Sequence, residues 1–174
     1  MTGVPAGTIF CCVGGEEHFL EELRVPTRRA AVELFMADGL HTSGVMYLTR
    51  TRHPPDGPEA IAELLNDDRV FIPFRADDPG IEAWIVNKQH LVRVHLRDCD
   101  TLRPDCASGQ VAPLCTIVLC DRSRLTGQVI FNAPLTVSRL VDKFNRAPSF
   151  MTFMTDDGVD FVRVSHVTQV FQHS

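Results

Sequence analysis

The chain runs through the same order of residues twice, and this narrows its possible folds more than any other feature. Asp38 and Gly44, the apolar run 45–48, then Asn66, Phe71, Phe74, Asp77, Asp78 and Gly80 return as Asp121, Gly127, the run 129–131, then Asn145, Phe150, Phe153, Asp156, Asp157 and Gly158. Residues 61–78 match 140–157 without a gap, at a constant offset of 79. Such agreement predicts one small unit used twice. A unit of about 60 to 70 residues is only marginally stable alone, so the copies are expected to cover each other's apolar surface, by analogy with a pseudo-twofold dimer.

Hydrophobic periodicity predicts the same elements in each copy. Residues 30–36 are β-prone, Asp38-Gly39 suits a tight turn, and 44–49 form the returning strand. Asp56 can cap a helix that carries Pro58 and Glu59 in its first turn and sets Ile61, Leu64 and Leu65 on one face, with Asn66 at its end. Residues 70–74 alternate as a half-buried strand, Asp77-Asp78-Pro79-Gly80 turn the chain, and strands 81–86 and 91–96 follow. The second copy reads as strands 116–119 and 128–131, then a helix capped by Thr136 or Ser138 with Val137, Leu140, Val141 and Phe144 on one side and Asn145 at its end. Strands 150–154, 159–164 and 168–171 complete it.

The expected fold class is therefore mainly β with short helices (α+β): two tandem five-stranded barrels of Sm-like or SH3-like type, each with a helix inserted between its second and third strands. Residues 1–27 form a tail with a short amphipathic helix built on Phe19, Leu20 and Leu23 and ended by Pro26. Barrels at 28–97 and 115–174 flank a linker at 98–114 that holds Pro104, Ser108, Gly109 and Pro113.

The opening turn at Asp38-Gly39 and Gly44, followed by Val45 and Leu48, is similar to the first strands of the Sm-like family of small barrels, which includes Hfq-type RNA chaperones. The segment from Arg124 to Val129 looks like its counterpart in the second copy. Val164, Ser165, His166, Val167 and Thr168 resemble the family's join between its last two strands, where a histidine contacts RNA; Asn87, Lys88, Gln89 and His90 hold that place in the first copy. The chain departs from the family where RNA is bound. A helix replaces the loop whose acidic residue and asparagine hold a base, and the Arg-Gly pair before the last strand is absent.

Composition bounds the function. The 174 residues, 44% hydrophobic and 22% charged, fit an ordinary globular protein. No apolar stretch nears the roughly 20 residues of a spanning helix and no secretory signal opens the chain, so no membrane partner and a cytoplasmic location are expected. A net charge of −5 weighs against a general nucleic-acid coat, and no DNA partner is expected. The six cysteines form no Cys-x-x-Cys pair, and a His95, Cys99, Cys106 metal site has loose spacing. No metal or cofactor is expected.

The acidic pairs Asp77-Asp78 and Asp156-Asp157 read as turn residues ahead of Gly80 and Gly158. No nucleophile elbow is present, and Gly14-Gly15 lacks a Walker lysine, so no enzyme is expected. Arg28-Arg29 ahead of a barrel would suit a cyclic-dinucleotide receptor of PilZ type, but Asp38 and Ser43-Gly44 stand at the wrong spacing. The function expected is a non-enzymatic adaptor or regulatory module that binds a protein partner, or itself, through strand edges and helix faces. The alternative is an RNA-binding protein that uses Lys88, His90 and His166 with Arg50 and Arg52 of the loop between copies' second strand and helix, a loop four residues longer in the first copy.

Overall fold

The computed structural model describes residues 27–49, 58–78, 80, 84–96, 110–131 and 139–173. The expected N-terminal helix, the loop with Arg50 and Arg52, the helix caps Asp56, Thr136 and Ser138, and most of the linker lie outside them. The first half runs β1 (Thr27–Met36), β2 (His41–Thr49), α1 (Pro58–Asn66), β3 (Phe71–Ala76), β4 (Trp84–Asn87), a 3-10 turn (Lys88–His90) and β5 (Leu91–Leu96). The second half runs β6 (Gln110–Val111), β7 (Cys115–Leu119), β8 (Arg124–Phe131), α2 (Leu140–Asn145), β9 (Phe150–Thr155), β10 (Gly158–Arg163), a 3-10 turn (Val164–His166) and β11 (Val167–Gln172). The molecule is mainly β with short helices, as the residue patterns predict.

Local chemistry explains the turns and bends. Asp38 Oδ1 accepts from the Leu40 N–H at 3.0 Å and Asp121 Oδ1 from the Ser123 N–H at 2.9 Å, so each hairpin is closed by the same aspartate-backbone turn. The residue after the aspartate has positive φ in both, Gly39 at 88° and Arg122 at 69°. Gly44 and Gly127 mark close crossings between neighbouring strands. A Cβ at 44 would strike the carbonyl oxygen of Arg75 on β3, and one at 127 that of Met154 on β9. Only glycine lets β2 and β8 bend so tightly onto the next strand.

All pairings are antiparallel, and the strands follow the order β11-β7-β8-β9-β10-β5-β1-β2-β3-β4, with β6 added to β8. The halves thread alike: β5-β1-β2-β3-β4 in the first, β11-β7-β8-β9-β10 in the second. The path is open. Among the described residues no pairing closes either half on itself, because β5 takes β10 of the other half as its second neighbour. The expected pseudo-twofold join is corrected here. A twofold would bring matching strands together, whereas the last strand of the first half meets the penultimate strand of the second, so the halves join head to tail.

Two apolar clusters straddle this join. The first gathers Val32, Leu34, Met46, Ile61, Leu65, Ile72, Phe74 and Val94 of the first half with Phe150, Val159 and Phe161 of the second. The second gathers Cys115, Ile117, Leu119, Val129, Phe153 and Val162 with Val92 of the first half. Each half therefore lends side chains to the other's core, and the two fold as one body.

Candidate functional site

Two regions stand out: the seam where β5 meets β10, and the two ends of the sheet. At the seam the register sets Asp160 opposite His95 and Val162 opposite Arg93. Asp160 is buried, and its Oδ1 accepts from Arg93 Nη1 at 2.8 Å and lies 3.3 Å from His95 Nδ1. The hydrogen bond that His95 donates to the Asp160 carboxylate holds the His95 pKa above its usual value, outweighing the opposite effect of burial. The Arg93 guanidinium carbon lies 3.6 Å from the centre of the Phe35 ring, which stacks in turn on His41, and His41 pairs with Glu33. Arg93 Nε is buried and has no hydrogen-bond partner among the described residues. Glu33, Phe35, Arg93, His95 and Asp160 wall a polar crevice of about 470 Å³ rimmed by Arg124, Asp156 and Asp157. Its chemistry is that of a clamp: one buried carboxylate ties the Arg93 guanidinium and the His95 imidazole of β5 to β10.

Farther along the seam, side chains grip backbone. Asn66, at the end of α1, donates from Nδ2 to the Phe150 carbonyl at 2.9 Å and accepts the Phe150 N–H at 2.8 Å, completing the opening of β9 as a neighbouring strand would. Arg163 donates to the Lys88 carbonyl at 3.0 Å and covers the Phe150 ring.

The candidate ligand residues fall unevenly around this seam. Lys88 is buried, with Nζ donating to the carbonyls of Leu64 and Asp67 and to Asp67 Oδ1 at 2.7 Å, so its charge serves the end of α1 and not the surface. Burial raises the Asp67 pKa, but hydrogen bonds from Arg69 and Lys88, with the Lys88 charge, hold it below its usual value. His166 Nε2 lies 3.2 Å from the Gln89 carbonyl, which can only accept. The neutral ring therefore keeps its proton on Nε2 and accepts the Cys120 thiol at Nδ1, 3.1 Å away. His166 thus bridges the 3-10 turns of the two halves. His90 is exposed, while Arg50 and Arg52 lie outside the described residues. Asp77-Asp78 and Asp156-Asp157 sit at the β3–β4 and β9–β10 turns. Among the described residues no three His, Cys, Asp or Glu side chains are grouped to hold a metal, and His95 of the imagined zinc set belongs to the clamp. None of the helices they include is long and apolar enough to cross a membrane.

The ends of the sheet escape residue-by-residue inspection of the sequence. Of eight large apolar side chains exposed among the described residues, six lie there: Val70, Phe71 and Ile85 beside β4, and Val141, Val170 and Phe171 beside β11. At the β11 end an open groove of about 500 Å³ runs between α2 and the strand, lined by Leu140, Val141, Phe144, Val164, Val167 and Val170. The repeat aligns Phe71 with Phe150, and only the structure shows that the first is exposed and the second buried. Comparison of the chain with protein-family models, with curated proteins and with solved structures finds no match.

Proposed function

We propose that this chain is a non-enzymatic interaction module: two bent five-stranded units of the Sm-like or SH3-like kind, joined along one edge, that bind protein through the edges left unpaired among the described residues. The observation that carries the reading is the concentration of exposed apolar side chains at β4 and β11. An unpaired strand offers a row of N–H and C=O groups to an incoming strand, and flanking apolar side chains supply the burial that makes such pairing stable. Soluble proteins blunt such edges with charge or proline. Here Ile85 and Val170 point outward instead.

The RNA-binding alternative draws less support. Lys88 is buried against Asp67, His166 is engaged by Cys120 and Gln89, and the net charge is −5. Affinity purification from the native cell, with tagged wild type beside Ile85→Asp, tests the reading. Proteins retained by the wild type and lost with the variant are expected; an identical set on both would overturn it. Salt-sensitive micromolar binding of labelled single-stranded RNA in fluorescence anisotropy would put the alternative in its place.

A further inference from the structure

The seam is a pattern for a second joint that one chain cannot complete. The two 3-10 turns set the last strands in register at an offset of 76, Leu91 with Val167, and the strands before them likewise, Ile85 with Phe161. On that register Ile85 holds on β4 the place of Phe161 on β10, and Val170 holds on β11 the place of Val94 on β5. Phe161 and Val94 face each other across the seam, both 0% exposed, while Ile85 is 78% and Val170 36% exposed. Phe71 and Phe150 tell the same story, 55% against 1%.

The groove beside β11 is the other half of the pattern. Its counterpart in the first half lies between α1 and β5, where Phe150 and Phe161 of the second half pack against Ile61, Leu65 and Val94. Next to α2 that volume is open. Asn66, whose amide grips the backbone of Phe150, has its counterpart in exposed Asn145.

We infer that the partner of these edges is a second copy of this chain: β4 of one copy pairs antiparallel with β11 of the next, and Phe71 and Ile85 fill the groove beside α2. This rests on the interaction-module reading and names its partner. The seam register, carried over, sets Ile85 opposite Val170 and Trp84 opposite Phe171. An aromatic pair thus stands where the seam has Asp160 and His95, and such pairs stabilise facing strands. Asn145 takes the backbone of Phe71. The joint is heterologous, so each copy keeps one free end of each kind and assembly continues until a ring closes or a filament grows.

Light scattering on the purified full chain, with two variants, tests this. The wild type is expected at a multiple of the 19.4 kDa chain mass. Ile85→Asp blocks the β4 end and Val170→Asp the β11 end, and each alone is expected at 19.4 kDa with an unchanged circular dichroism spectrum. Mixed one to one, they are expected to form a species of twice that mass, because each supplies the end the other lacks. Asn145→Ala is expected to raise the dissociation constant about tenfold through two lost hydrogen bonds. A wild type that stays at 19.4 kDa at high micromolar concentration, a variant that keeps the wild-type mass, or a mixture that does not pair would each overturn the inference. The first would leave the module reading standing, since co-purification that depends on Ile85 decides that reading separately.

Discussion

The seam and the free ends present equivalent strand positions with opposite fates. At the seam Phe150 and Phe161 are buried beneath α1 and β5; at the ends Phe71 and Ile85 face outward. The helices differ in the same way. α1 buries Ile61, Leu64 and Leu65, whereas α2 buries no residue, although Leu140 and Phe144 lean on the second cluster. Burial of a repeated residue is thus decided by what lies next door, and local sequence sets only which face is offered. A second lesson is the polar clamp. The seam has Asp160, Arg93 and His95 where the ends offer Trp84, Gln169 and Phe171, so the permanent joint is pinned by a buried charge and the ends carry none at those places.

The contrast can be broken most severely at Phe161. Phe161→Ala is expected to cost about 4 kcal/mol of folding stability in urea denaturation, whereas Ile85→Ala shifts the dissociated chain by less than about 0.5 kcal/mol. Equal costs would erase the distinction. Asp160→Ala should follow at about 3 kcal/mol, because Arg93 would lose the carboxylate it pairs with in a largely buried place. Removing the amide grip, by Asn66→Ala, is expected to cost about 1 to 2 kcal/mol through two lost bonds to Phe150, while Asn145→Ala leaves the dissociated chain unchanged.

The smallest effect is that of pH. His95 has a folded pKa raised above its ordinary value of 6.5, so its contribution is complete below that value and is lost as pH rises through the folded one. Stability measured in urea should decline across that window, and His95→Asn should flatten the decline. A wild-type profile that rises with pH there would contradict the role given to Asp160.

Much of the architecture was legible in the residues, because turns and faces are encoded locally. Asp38 and Asp121 close their hairpins, Ile61, Leu64 and Leu65 form the buried face of α1, and Ile72, Phe74 and Ala76 alternate inward on β3. What escaped is what the chain joins over distance. Asn66 meets Phe150 across 84 positions, and Arg93 meets Asp160 across 67, with no local pattern to announce either. The same holds for the head-to-tail join, since a strand's own alternation says nothing about which edge it will find. Residues 110 and 111, read as linker, pair with β8 as β6, too short a strand for periodicity to register. From the sequence Lys88 reads as an RNA contact, because lysine seldom lies buried without a partner; the carboxylate that permits its burial, Asp67, lies 21 positions earlier.

Hydrogen exchange followed strand by strand over a range of protein concentrations tests the central claim most directly. Amides of β5 and β10 should exchange only with global unfolding at every concentration, while those of β4 and β11 should gain protection together as concentration rises. Early joint exchange of β5 and β10, with β1 to β3 still protected, would show that the seam does not bind the halves into one body and would contradict the account.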